Sequence, residues 1–78
     1  MVENEKIAGK LVTVNTRCDI VRWSKDLEEI VELFIWIHPG DVVMTTGREL
    51  HWADEKHTEV EIMHDGTVGF VYINTLML

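Results

Sequence analysis

The run Thr58-Glu59-Val60-Glu61-Ile62-Met63-His64-Asp65-Gly66-Thr67-Val68-Gly69-Phe70-Val71-Tyr72-Ile73 decides the fold. Glu59 and Glu61 alternate with Val60 and Ile62, the period of a half-buried strand, so residues 58–63 are predicted as a strand with both glutamates on a solvated face. Asp65-Gly66 is the strongest short hairpin signal in the chain, because both central residues of the favoured two-residue turn need positive φ. A second strand over 68–73 is expected to pair back on the first.

Working upstream, His38-Pro39-Gly40-Asp41 marks another reversal. Pro39 pushes His38 toward extended geometry, and Pro-Gly suits the centre of a type II turn with Gly40 supplying positive φ. A strand is expected over 41–46, ended by Gly47, and a polar connection over 48–57 that carries Trp52. Residues 26–37 read two ways. Asp26-Leu27-Glu28-Glu29 looks like a capping box, with Leu27, Ile30, Val31 and Phe34 at helical spacing. Val31, Leu33, Ile35 and Ile37 also alternate with Glu32, Phe34, Trp36 and His38 in a β-favouring composition. The expectation is a helical turn near 26–30 followed by a strand over 31–37. Leu11-Val12-Thr13-Val14, bounded by Gly9 and Asn15-Thr16, is a first strand. Residues 15–25 lack a clean period and are assigned to a long loop. Asn74 to Leu78 is expected to pack as a short 3-10 turn and closing strand. The polar lead-in 1–9 is expected to fray, leaving 10–78 as one small domain. The sum is a mainly β protein, a small barrel of five or six antiparallel strands.

At 78 residues the chain has room for one modest core, and its 46% apolar and 27% charged residues are those of a globular domain. Fourteen acidic residues face seven basic ones, giving a net charge of −7. After Arg48, Lys56 is the only Lys or Arg against six carboxylates. Such a surface repels phosphate backbones, so direct binding to nucleic acid or to an anionic membrane is disfavoured. A basic protein partner is compatible, with charge raising its association rate. Cys18 stands alone, which excludes an intramolecular disulfide and fits a reducing compartment. With no secretory leader pattern and no apolar run long enough to span a bilayer, the expected location is cytoplasmic.

Taken in order, these elements resemble the Src-homology-3-like small β-barrel in its bacterial form, over residues 31–77. Gly40-Asp41-Val42-Val43 looks like the family's Gly-Asp pair after the diverging turn, and Glu32-Leu33 resembles the Glu-Leu before it, with Trp36-Ile37 as an insertion. Asp65-Gly66 looks like the distal hairpin. Gly69-Phe70-Val71 is similar to the Gly-aromatic-Val that opens the fourth strand, and Asn74-Thr75-Leu76 sits where the family has its 3-10 turn. Val14-Asn15-Thr16-Arg17 is similar to the Asn-Val-Arg that starts bacterial members. The resemblance implies a small barrel and a binding module. The aromatic expected three residues before Val60 is His57 here, and the Pro and Tyr of peptide-binding members are Tyr72 and Thr75. The aromatic groove that proline-rich peptides need is therefore incomplete.

Among candidate chemistries, the tryptophans weigh most, since Trp is enriched at binding hot spots. Trp36 is expected to pack over the open end of the core. Trp52, with Asp54 and Glu55 beside it, is the better site candidate, joined by Tyr72 and Trp23. His38, His51, His57 and His64 do not fall at zinc-ligand spacing, and no metal or cofactor is expected. Cys18, between Arg17 and Asp19, has no base placed to activate it, and no catalytic constellation assembles. The chain thus reads as a non-catalytic protein-protein binding module, a small acidic adaptor or regulatory accessory protein. Alternatives are a cell-wall glycan or peptide binder and an acidic inhibitor of a nucleic-acid-binding protein, of the kind small viral proteins supply. Exposed Phe34, Trp36 and the apolar C-terminal residues also point to homo-oligomerisation.

Overall fold

A computed structural model of the protein describes residues 2–3, 8–24, 29–51 and 58–78, with side chains at 8–22, 29–51 and 58–78. Its strands are β1 (Val2–Glu3), β2 (Leu11–Thr13), β3 (Cys18–Ser24), β4 (Glu29–Ile37), β5 (Val42–His51), β6 (Thr58–His64) and β7 (Thr67–Tyr72), followed by a 3-10 helix at Ile73–Thr75. All pair antiparallel in one sheet ordered β1-β5-β6-β7-β3-β4, with β2 also on β5. The mainly β, antiparallel expectation holds. The sheet is open: among the described residues no rung joins β4 to β1 or β2.

Both predicted turns form. Asp65 and Gly66 have φ of 48° and 79°, both positive as the two-residue hairpin requires, and His64 pairs with Thr67 across it. At the other reversal Gly40 has φ 95°, the Asp41 amide donates to the His38 carbonyl at 3.0 Å, and the His38 amide donates to Asp41 Oδ2 at 2.8 Å. Gly40 N also donates to the Val14 carbonyl, while Val14 N donates to that of Asp41. This turn therefore ties β2 to the start of β5. Beyond the 3-10 helix, Leu76 bridges Val14 and the Met77 amide donates to the Thr13 carbonyl, so a closing strand segment lies along β2 as expected. Within the lead-in, Val2 and Glu3 pair with Glu49 and Arg48, and the Gly9 amide donates to the Thr45 carbonyl.

The core is built from one face of this sheet. Val12, Val14, Ile20, Ile37, Val43, Val60, Ile62, Val71 and Leu76 form a single buried cluster. Each contributes about 1.5–3 kcal/mol of burial free energy if fully removed from water. Gly69 permits this packing. A Cβ there would strike Ile20 Cγ2 and lie 2.7 Å from the Val21 carbonyl oxygen, so only glycine lets β7 pass this close to β3.

Several expectations are corrected. Residues 15–25 are not one long loop, because 18–24 form β3. Asp19 and Arg22 put one charge on each of its two faces, so no clean alternation marks it in the sequence. It is β4 beside it that is bulged, since between the rungs Asp19↔Trp36 and Val21↔Glu32 Ile20 alone faces Leu33, Phe34 and Ile35. Phe34 takes the left-handed conformation there, at φ 57°. Likewise Gly47 does not end its strand. At φ 95° it sits in a second bulge, where 46–48 face Glu61 alone, and β5 continues to His51. The predicted helical turn at 26–30 fails at its end, since Glu29 and Ile30 pair with Ser24 and Trp23 as strand; residues 25–28 lie outside the described residues. Edge pairing satisfies more backbone groups than one isolated turn would.

Glu59 and Glu61 are not solvated: they are 4% and 8% exposed. Both do lie opposite the core face, as the alternation requires, but β6 is flanked on both sides and its neighbours cover that face too. Glu61 Oε1 accepts from Thr46 Oγ1 at 2.7 Å and lies 4.0 Å from Arg48 Nε, so the bulge of β5 supplies partners for this buried carboxylate. Trp36 is not a core residue either. It is 45% exposed, with the Arg17 guanidinium carbon 4.4 Å above its ring centre. The cation covers a ring face that the small core has no room to bury.

Candidate functional site

β3 and β7 share one rung, Val21↔Phe70. Past it, β7 runs on through Val71 to Tyr72 while β3 runs back through Asp19 to Cys18, and no further rung joins the two strands among the described residues. The β4 bulge opposite Ile20 lies at this point, where inserted residues bend a strand and increase its twist. The separation leaves an open cleft of about 490 Å³ between the β3-β4 hairpin and the ends of β6 and β7.

Asp19, Glu32 and Glu59 bring three carboxylates to the cleft from three strands, and among the described residues no Lys or Arg lines it. Val21, Ile30 and Val71 provide apolar lining, with Cys18 and the half-exposed Tyr72 completing it. Tyr72 and Glu59 are directly opposite each other across β7 and β6. The Cys18 thiol is turned onto its own chain, donating to the Asp19 carbonyl at 3.2 Å. A concavity with acidic groups on low-dielectric walls focuses negative potential and concentrates cations. An aromatic ring beside those carboxylates adds a face on which the alkyl stem or charge of a Lys or Arg can rest. The chemistry on offer is recognition of an extended cationic group.

Of the residues picked from sequence, Tyr72 has a described side chain, and it lies in this cleft. Trp23 belongs to β3, where its backbone pairs with Ile30, and its side chain is not among those described. Trp52, Asp54 and Glu55 lie outside the described residues. Sequence reasoning missed Asp19, Glu32 and Glu59. Asp19 fell in the supposed loop and Glu59 on the supposed solvated face. The signal that unites them is the β3-β7 rung, a pairing between distant segments that no local pattern encodes.

No protein-family model, curated protein or solved structure matches this chain.

Proposed function

We propose that this protein is a non-catalytic protein-binding module of the Src-homology-3-like type, and that it takes a basic segment of its partner in the cleft between the β3-β4 hairpin and the β6-β7 end. The observation that carries this reading is the convergence of Asp19, Glu32 and Glu59 with Tyr72 in one concavity that no Lys or Arg lines among the described residues. The family part of the proposal is supported by element order. A first strand leads to a long hairpin, a Pro-Gly turn, three antiparallel strands joined in meander, a 3-10 helix, and a final segment returning beside the first strand. Trp23, Trp52, Asp54 and Glu55 belong to the proposed binding set on the sequence argument alone.

A single Lys or Arg side chain fills only part of such a cleft, so a short extended stretch with two or more cations is the fitting ligand. The test is a titration of the full chain with a fluorescent oligo-arginine peptide, with an oligo-glutamate peptide as control. Binding of the first alone is expected. Asp19→Asn and Glu32→Gln should each weaken it about two- to fivefold, the range for partly exposed ion pairs. Amide resonances of 18–21, 30–32 and 71–72 should shift on binding. Unchanged affinity in the double variant, or shifts confined to another face, would sink the proposal.

A further inference from the structure

The outer face of the sheet, opposite the core, carries one unbroken apolar ladder. Leu11 pairs with Met44, Met44 with Met63, and Met63 with Val68, crossing β2, β5, β6 and β7. Directly paired residues share a face, and all four side chains are exposed, Met44 least at 40% and Leu11 most at 71%. Val42, on the same face two residues from Met44, is exposed as well. Four strands at about 4.8 Å spacing make this row about 14 Å long. We propose that the row is the contact surface between two copies of this chain, packed face to face about a two-fold axis that passes between Met44 and Met63.

Two features choose a second copy as the occupant. The first is charge. Each copy carries −7, so two copies approach most easily where neither presents carboxylates. The row and its neighbours Thr13, Val42 and Thr46 carry no charge. Of the flanking acids, Glu61 is buried against Thr46 and Arg48, and Asp65 is exposed in the turn past His64, off the end of the row. A basic partner is drawn to the acidic cleft instead, and an anionic membrane is repelled by the molecule as a whole.

The second feature is self-complementarity, the requirement of a two-fold interface. Rotation about the proposed axis places Met44 on the partner's Met63 and Leu11 on the partner's Val68. Every rung meets an apolar rung, with no polar group left unpaired, and flexible methionines at the centre adapt to one another. Other exposed apolar groups offer less: Phe34 projects from a bulge, and one face of Trp36 is covered by Arg17.

Sedimentation equilibrium of the full chain tests the proposal. A reversible dimer is expected, with a Kd of about micromolar to millimolar for so small a surface. Met44→Lys and Met63→Glu alone should each weaken it about tenfold or more. An equimolar mixture of the two variants should regain association, because in the mixed dimer Lys faces Glu on one side of the axis while Met still faces Met on the other. Leu11→Lys mixed with Val68→Glu repeats the design at the ends of the row should a methionine variant fail to fold, which far-ultraviolet circular dichroism reports. A chain that stays monomeric at millimolar concentration overturns the proposal. So does association unchanged in the single variants, a mixture without rescue, or a dimer abolished by Trp36→Ala and not by the row variants.

Discussion

Gly69 carries more of this fold than any other single position outside the core. Its missing Cβ is what lets β7 lie against Ile20 and the Val21 carbonyl, and backbone does not yield as a flexible side-chain tip does. Gly69→Ala is therefore expected to lower stability by about 1–3 kcal/mol, read as a fall in the urea midpoint at unchanged slope. Gly40→Ala is the contrast. Open space surrounds that position, so the loss of about 1 kcal/mol would come from its φ of 95° alone. Equal effects at the two sites would argue against close contact at Gly69. In the sequence, Gly69-Phe70-Val71 stands out as a pattern, yet the reason for the glycine lies in a strand far away along the chain.

Elements built on local chemistry were legible, and those whose faces mix charged with apolar residues or that continue past a bulge were not. Pro39-Gly40 and Asp65-Gly66 announce their turns because the required φ values are properties of those residues themselves. β3 was hidden because Asp19 falls on one of its faces and Arg22 on the other, so neither face reads as apolar. In β5 a bulge at Gly47 made a bend look like an end. The candidate cleft inherits this limit, since Asp19 and Glu59 become neighbours of Tyr72 only through strand order. Position in the sheet also sets local stability. β6 lies between β5 and β7, whereas β4 has a partner on one side only among the described residues. In hydrogen exchange, the amides of 60–62 should be the slowest and open only with global unfolding. Those of β4 that point away from β3 should exchange about a hundredfold faster or more. Comparable protection in both strands would show that the β4 edge is covered in solution.

At the scale of the whole molecule, the two proposed contacts respond to salt in opposite ways. Raising sodium chloride from about 0.05 to 0.5 M shortens the screening length severalfold and should weaken binding of a basic peptide to the cleft. Self-association through the apolar row should hold or strengthen, because screening reduces the repulsion between copies of charge −7. Calorimetric titration and sedimentation over one salt series separate the two, and a parallel response would mean that both report the same surface. The placing of β2 has a consequence in time. It is held between β5 on one side and Leu76 on the other, and it is tied to the Pro39-Gly40 turn through Val14. The β6-β7 hairpin closes over a two-residue turn and can form within microseconds. β2 has no lasting place until segments from opposite ends of the chain have met, and such long-range closure is what slows β-rich chains. β2 is thus made on the ribosome before its partners and is expected to be seated after the β6-β7 hairpin, and until then Val12 and the adjoining Val14 depend on whatever else is near.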